Sequence, residues 1–223
     1  MPIHLWLPES GRGPGIVLFQ EIFGVGPFIE SVARKLSGLG YVVGAPEMFW
    51  RFAPGFEAAH DEQGMREAMG AAGRLDPALA GLDAAAAVDH LRGLPEVDGG
   101  VAAMGYCLGG TLAFAAGIEG RPDAVVSYYG SMVPQLIGSL DQVTCPILFH
   151  FGTEDRFLPV EQVQKVEQAV NDSRRDDIEL DLQPAGHAWE NAEAPMFHDP
   201  DATAASWAIT VDFLGRRLPT AAD

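Results

Sequence analysis

Basic residues are scarce, with 14 lysines and arginines set against 31 aspartates and glutamates, a formal net charge of −17. A field of that sign repels phosphate backbones, and no cluster of lysine or arginine makes a local exception, so nucleic acid is excluded as a partner. Cysteine is rarer still: Cys107 and Cys145 are the only two, too few for a disulfide framework. No apolar stretch approaches the roughly 18 residues of a membrane span. The opening Met1-Pro2-Ile3-His4-Leu5-Trp6 has no positive segment leading into an apolar core. These absences lead us to expect a soluble, cytoplasmic protein, without a membrane partner. The acidity fits a saline habitat and an ordinary acidic surface equally well.

What is present is an alternation. Over 223 residues, 48% of them hydrophobic, short apolar runs recur at 16–19, 41–43, 101–104, 124–129, 146–150 and 178–182. Such runs read as buried parallel strands. Helical patterns at 28–39, 79–91, 108–117, 160–170 and 202–214 separate most of them, with Leu79, Leu82, Ala86 and Leu91 as the expected inner face of the second. Together they predict an α/β fold, a mostly parallel central sheet with helices on both faces, in a single domain over 1–223. The stretch 46–78 breaks the rhythm. It is rich in Gly, Pro, Met and charge and too long for an ordinary connection. It reads as an excursion over a site, with one short helix near 61–71.

The most informative residues are Gly105-Tyr106-Cys107-Leu108-Gly109-Gly110, which follow an apolar strand and open a helix. A nucleophile elbow has this context, because a tight strand-to-helix turn needs small residues two before and two after the nucleophile. Cys107 would stand at a helix N-terminus, where free N–H groups favour developing negative charge. The alternative is a buried cysteine among packing glycines; neither nucleotide-loop pattern fits the segment. Cys145, in Thr144-Cys145-Pro146, reads as a buried hydrophobe.

A nucleophile needs a base, and the base an orienting acid; in this class of fold they follow in the order acid, then His. Asp155 lies just beyond one strand end and His187 just beyond the last, on the rim where open α/β sheets gather their sites. Asp155 has a rival role in capping the helix near Pro159, and Glu154 is a rival acid. His4, His60, His90 and His198 lack a strand-end position, and His150 precedes the acid. The run His198-Asp199-Pro200-Asp201 is only a thin metal signal, and neither metal nor organic cofactor is called for.

With Gln20-Glu21-Ile22-Phe23-Gly24, the Gly-x-Cys-x-Gly-Gly run and the Asp155 and His187 segments, the chain resembles the dienelactone hydrolase family of α/β-hydrolases over nearly its whole length. The resemblance implies a Cys107 nucleophile, Asp155 and His187 as triad partners, Glu21 beside the thiol, and an oxyanion hole from the Ile22 and Leu108 amides. It implies an enol lactone substrate such as dienelactone, opened to maleylacetate; a monomer or weak homodimer is our own expectation. One departure matters. Family members hold the substrate carboxylate with two arginines, whereas here the matching positions carry Asn191 and, in an ungapped reading, Met65. Arg66 is the first substitute, with Arg51 and Arg74 behind it; Arg66, Asn191 and Trp189 are therefore the expected substrate-binding residues. The chemistry of a thiol narrows the substrate independently. A thiolate leaves at a pKa of roughly 8.5 and an alkoxide nearer roughly 15.7, so only enolates, phenolates or thiols compete with Cys107 as leaving groups. Rival readings are a redox-sensing thiol and a silent ligand-binding module.

Overall fold

The computed structural model describes residues 1–220. Its seven strands are β1 (Ile3–Trp6), β2 (Gly13–Phe19), β3 (Val42–Pro46), β4 (Val97–Tyr106), β5 (Ala124–Tyr128), β6 (Ile147–Gly152) and β7 (Ile178–Gln183). They form one sheet in the order β1-β3-β2-β4-β5-β6-β7, parallel except for the antiparallel β1–β3 pair. The expected α/β class is borne out. β1 escapes sequence reading because Ile3-His4-Leu5-Trp6 is short and only half buried at its ends, with no apolar run.

The helices are α1 (Pro27–Gly38), α2 (Glu62–Ala72), α3 (Pro77–Arg92), α4 (Leu108–Ile118), α5 (Val133–Leu136), α6 (Val160–Ser173) and α7 (Pro200–Arg217), with a 3-10 turn at Ile137–Gln142. Side chains alternate across the sheet with the strand period of two. Val17 and Phe19 of β2 join one apolar layer with α3, α4 and α6, while Ile16 and Leu18 join the other with α1 and α7. The helix ends carry their own stop signals. Asp76 and Asp199 accept first-turn amides of α3 and α7, each just ahead of a proline at the first helical position.

One expectation is corrected. In α3, Leu79 and Leu82 are 43% and 55% exposed, and Ala86 is exposed as well; of the expected face only Leu91 is buried. The inner face consists of Ala80, Ala84, Ala87, Val88 and Leu91. The methyl-sized side chains let α3 lie close against the sheet and α4, where leucines would hold it off. Leucine count marked the wrong stripe because small residues set the approach.

At the far end, α7 is tied in by buried polar groups. Ser206 donates to the Glu190 carboxylate at 2.6 Å and accepts from the Trp189 indole at 3.1 Å. Burial pushes the Glu190 carboxyl up to about 7, with the Ser206 hydrogen bond and Lys35 acting the other way. A carboxyl raised in the folded state favours folding fully only below its unfolded value, and that contribution is lost as pH rises through about 7. Glu190→Gln, which keeps the acceptor for Ser206, should therefore raise Tm at pH 8.5 by a few degrees, on the order of 1–3 kcal/mol. At pH 5 the gain should largely disappear. Thermal melts at the two pH values check this, and an equal shift at both would refute it.

Candidate active site

Five neighbouring strands each deliver one side chain or its loop to the same carboxyl edge of the sheet. In spatial order these are Glu21 after β2, Cys107 after β4, Tyr129 after β5, Asp155 after β6 and His187 after β7. The sheet reverses its winding between β2 and β4, the switch point at which open α/β sheets leave a crevice.

The turn holding Cys107 is built by backbone interlock. Cys107 has φ 54° and ψ −111°, a conformation an L-residue adopts only under constraint. A Cβ on Gly105 would lie 2.3 Å from the Gly109 carbonyl oxygen, and one on Gly109 would lie 2.2 Å from that of Phe19. The Cys107 amide is fixed by the Tyr128 carbonyl at 3.0 Å, and its own carbonyl accepts from Thr111 and Ser131. The thiol is thereby presented ahead of α4, whose first-turn amides, Leu108 first among them, lack intrahelical acceptors. The Ile22 amide likewise donates to no protein acceptor among the described residues. Two free donors thus flank the cysteine turn, as an oxyanion site requires.

His187 Nδ1 and Asp155 Oδ2 are 2.6 Å apart. The other carboxylate oxygen of Asp155 accepts the Phe157 and Leu158 amides at 2.8 and 3.0 Å. Asp155 therefore closes a local turn and orients His187 at once. It does not cap α6, which begins without a side-chain cap, and the rival acid Glu154 faces solvent. Burial opposes charge on His187, but the electrostatic pull of Cys107 and the hydrogen bonds to Asp155 and Cys107 outweigh it and carry the imidazole to about 10. Such a ring readily takes a thiol proton.

Glu21 is buried and has no cation bonded to it. Asn191 Nδ2 donates to one oxygen at 2.7 Å, and the Tyr129 hydroxyl approaches the other at 3.4 Å. Burial raises its pKa to about 7, and Asn191, His187 and Tyr129 moderate the rise. Its side chain caps no turn. Gln20, also buried, donates to the Glu21 carbonyl and accepts the Met48 amide, which locks this loop to the end of β3.

The remaining sequence candidates divide. Asn191 is drawn into the centre, where its amide nitrogen also lies 3.0 Å from His60 Nε2. Trp189 is a correction: it is fully buried, bonded to Ser206 and packed edge-on against Tyr129, so it supports the site from behind and touches no open space. Arg66 is also not brought in; it is exposed and paired with Glu62 one turn back on α2. Arg51 is engaged by Asp83 and Trp50, and Arg74 lies over Phe52. His198 is anchored to the Trp189 carbonyl, and Asp199 caps α7.

Sequence reading missed His60 and Tyr129. His60 comes from the 46–78 excursion, stacks near Phe23 at 4.1 Å and reaches Asn191 from 131 residues away, a pairing no local pattern signals. Tyr129 was absorbed into a strand that ends one residue earlier and then turns at φ 37°. A second histidine constellation also exists: His150 bonds Asp181 and Thr210, each at 2.8 Å. His150 and Thr210 are both fully buried, so this network packs α7 against the sheet. Cys145 stands five residues before His150, which is in register with Tyr128 and so with Tyr106. That places it about 16 Å down the sheet from the Cys107 edge, beyond disulfide reach.

Comparison with known proteins follows this geometry. The model of the dienelactone hydrolase family matches residues 1–218. A carboxymethylenebutenolidase of Pseudomonas sp. is 37% identical over 219 residues, 97% of this chain and 90% of the relative. Carboxymethylenebutenolidase 1 of Cupriavidus pinatubonensis is 33% identical over 212 residues, 95% of this chain and 89% of the relative. Among solved structures, a dienelactone hydrolase-like promiscuous phosphotriesterase from metagenomic libraries superposes with a TM-score of 0.82 at 26% identity, covering 97% of this chain and 92% of that one.

The buried carboxyls give a direct test of the electrostatics. With ¹³C-labelled glutamate, two carboxyl resonances should titrate near pH 7, one vanishing in Glu21→Gln and the other in Glu190→Gln. Asn191→Leu removes a donor to the ionised form and should move the Glu21 titration alone to higher pH. Two carboxyls titrating in the ordinary range instead would contradict the burial argument.

Proposed function

Since the chain belongs to the dienelactone hydrolase family and is a hydrolase of ester bonds, we propose that it opens activated esters, enol lactones of the dienelactone type among them, through a Cys107 acyl-enzyme. The observation that carries the reading is Cys107 held in a strained elbow on the same sheet edge as the 2.6 Å His187–Asp155 pair. In this reading residues 46–78 wall the substrate site, and the chain acts on a small molecule as a monomer or weak homodimer.

The reaction proceeds in two displacements. Substrate lies over the strand ends with its carbonyl oxygen toward the Ile22 and Leu108 amides. His187, or the ionised fraction of Glu21, takes the thiol proton, and the sulfur attacks the carbonyl carbon. An S–C bond forms while the carbonyl electron pair moves to oxygen, where the two amides stabilise it. Collapse breaks the C–O bond of the ester, and the enolate or phenolate leaves with its electron pair, protonated by His187 where its basicity requires. Once His187 has passed its proton to the leaving group or to solvent, it takes one from a water that attacks the thioester; the C–S bond breaks, the acid is released and the proton returns from His187 to the sulfur. Asp155 holds His187 in the tautomer that keeps Nε2 toward the sulfur.

Glu21 near half-ionisation at neutral pH suits a gate. A neutral Glu21 does not repel a thiolate, whereas an ionised one disfavours the thiolate but accepts the proton of the thiol. Acylation assisted by Glu21 should therefore gain as pH rises through about 7.

Steady-state hydrolysis of an activated aryl ester and of dienelactone, with variants, tests the proposal. Cys107→Ala should lose turnover by roughly 10³-fold or more. Cys107→Ser should be slower overall but shift its relative preference toward alkyl esters, whose alkoxides no longer compete with a better leaving group. A covalent adduct equal to the acyl mass should accumulate on Cys107 in His187→Ala or in rapid quench. Retained activity without Cys107 would overturn the mechanism.

A further inference from the structure

Beside the Cys107 edge lies a cavity of about 440 Å³, within the size range of small-molecule sites. Its apolar wall is made by Phe23, Met65, Met69, Phe157, Met196 and Phe197. Three of these are conspicuous for another reason. Met69, Phe157 and Met196 are 60%, 67% and 79% exposed, so large apolar side chains left in water converge on one opening. An apolar surface gathered in this way marks a binding site, and thioethers adapt their shape to what enters.

The cavity adjoins the groups assigned above. The Phe157 ring meets His187 edge-on at 5.4 Å and Phe197 at 6.3 Å, while its amide fixes Asp155. On the opposite wall His60 bonds to Asn191, which in turn bonds to Glu21. A molecule seated there touches Phe157 and His60, the direct neighbours of His187 and Asn191.

Among the described residues no lysine or arginine lines this space. Its polar members are either acidic or already engaged. The Asp61 carboxylate accepts the Gly64 amide as the cap of α2, and Glu62 is turned to Arg66. His60 has burial holding it below the ordinary histidine range, with Glu193 acting the other way, and its Nε2 faces the Asn191 amide as an acceptor. It therefore supplies no positive charge at neutral pH. A carboxylate entering this cavity loses water, finds no cation and meets Asp61 and Glu62.

Resting on the Cys107 hydrolase reading, we propose that the cavity takes the uncharged, apolar acyl portion of the substrate, so that the enzyme works on neutral activated esters, enol lactones or thioesters and discriminates against acyl groups ending in a carboxylate. The acyl portion, more than the leaving group, profits from such a site, because it stays covalently attached through both displacements. The dienelactone anion is then a poor substrate, although its ring ester belongs to the right reaction class.

The test compares kcat/KM at pH 8 for p-nitrophenyl hexanoate and the p-nitrophenyl monoester of adipic acid, which share leaving group and chain length and differ in a terminal methyl or carboxylate. p-Nitrophenyl acetate serves as the short reference, with Cys107→Ala throughout. Like-charge and desolvation effects should favour hexanoate by roughly a hundredfold. Met65→Arg, or Met196→Arg if the first does not fold, should narrow that ratio by roughly tenfold or more by supplying the missing cation. Cys107-dependent hydrolysis of acetate with adipate equal to or better than hexanoate would overturn the substrate class and leave the hydrolase reading intact. Acetate hydrolysis independent of Cys107 would overturn the hydrolase reading itself, and this inference with it.

Discussion

Backbone meets backbone at the β4–α4 turn, where a Cβ on Gly109 would lie 2.2 Å from the Phe19 carbonyl oxygen and one on Gly110 would lie 2.6 Å from that of Tyr128. Only glycine permits β2, β4, β5 and the start of α4 to close to this distance. The closure forces Cys107 to φ 54°, and hydrogen bonds from the Cys107 amide to Tyr128 and from the Ser131 amide to the Cys107 carbonyl keep it there. Because β5 and β6 continue the same parallel register, fixing this turn also fixes how far Tyr129, Asp155 and His187 stand from the sulfur. The strain is local, and the surrounding sheet over-determines it.

Electrostatics on this edge are set by burial more than by ion pairing. The chain carries −17 in formal charge, yet among the described residues no lysine or arginine is bonded to Glu21 or Asp155, and the one basic partner at the centre is His187, on Asp155. Burial raises Glu21 to about 7, and the amide and phenol that donate to it only moderate the rise, so it is near half-ionisation at neutral pH. Asp155, by contrast, accepts two backbone amides and holds a histidine, a set that fixes its orientation. Two buried carboxyls on the same sheet edge as Cys107 are thus given different surroundings by their donors, one suited to orienting His187 and the other titrating near neutral pH. An arginine in place of Asn191 would hold Glu21 ionised; the neutral amide leaves it free to change.

Much of this was legible because it is written in local patterns. Apolar runs marked six of the seven strands, and glycines around Cys107 marked the turn. The order of Cys107, Asp155 and His187 placed them on one rim. What stayed hidden depends on approach in three dimensions. The alanine face of α3 was outvoted by exposed leucines, since a residue's hydrophobicity says nothing about how closely two elements must pack. Trp189 looked like a pocket residue from its place beside His187, but the backbone at Ala188, φ 58°, turns it into the core. His60 could be linked to Asn191 only once the excursion had been folded back across the sheet edge.

Under the proposed mechanism, the Cys107 nucleophile and the cavity would constrain the substrate from opposite ends. A thiolate can expel only a leaving group of comparable basicity, which limits the alcohol side to enols, phenols and thiols whatever the acyl side is. With the acyl group in the cavity as proposed, that side would be limited to what can shed water among Phe157, Phe197 and the methionines without an ion pair in return. Neither limit implies the other, since a serine could sit beside the same apolar wall and an arginine could stand at Met65 beside the same cysteine. Their coincidence describes an ester that is activated by its leaving group and neutral in its acyl chain. Such a compound is prone to hydrolyse unaided. The demand on the protein is therefore positioning and water exclusion more than raw barrier lowering, which is what an apolar wall against a preformed elbow supplies.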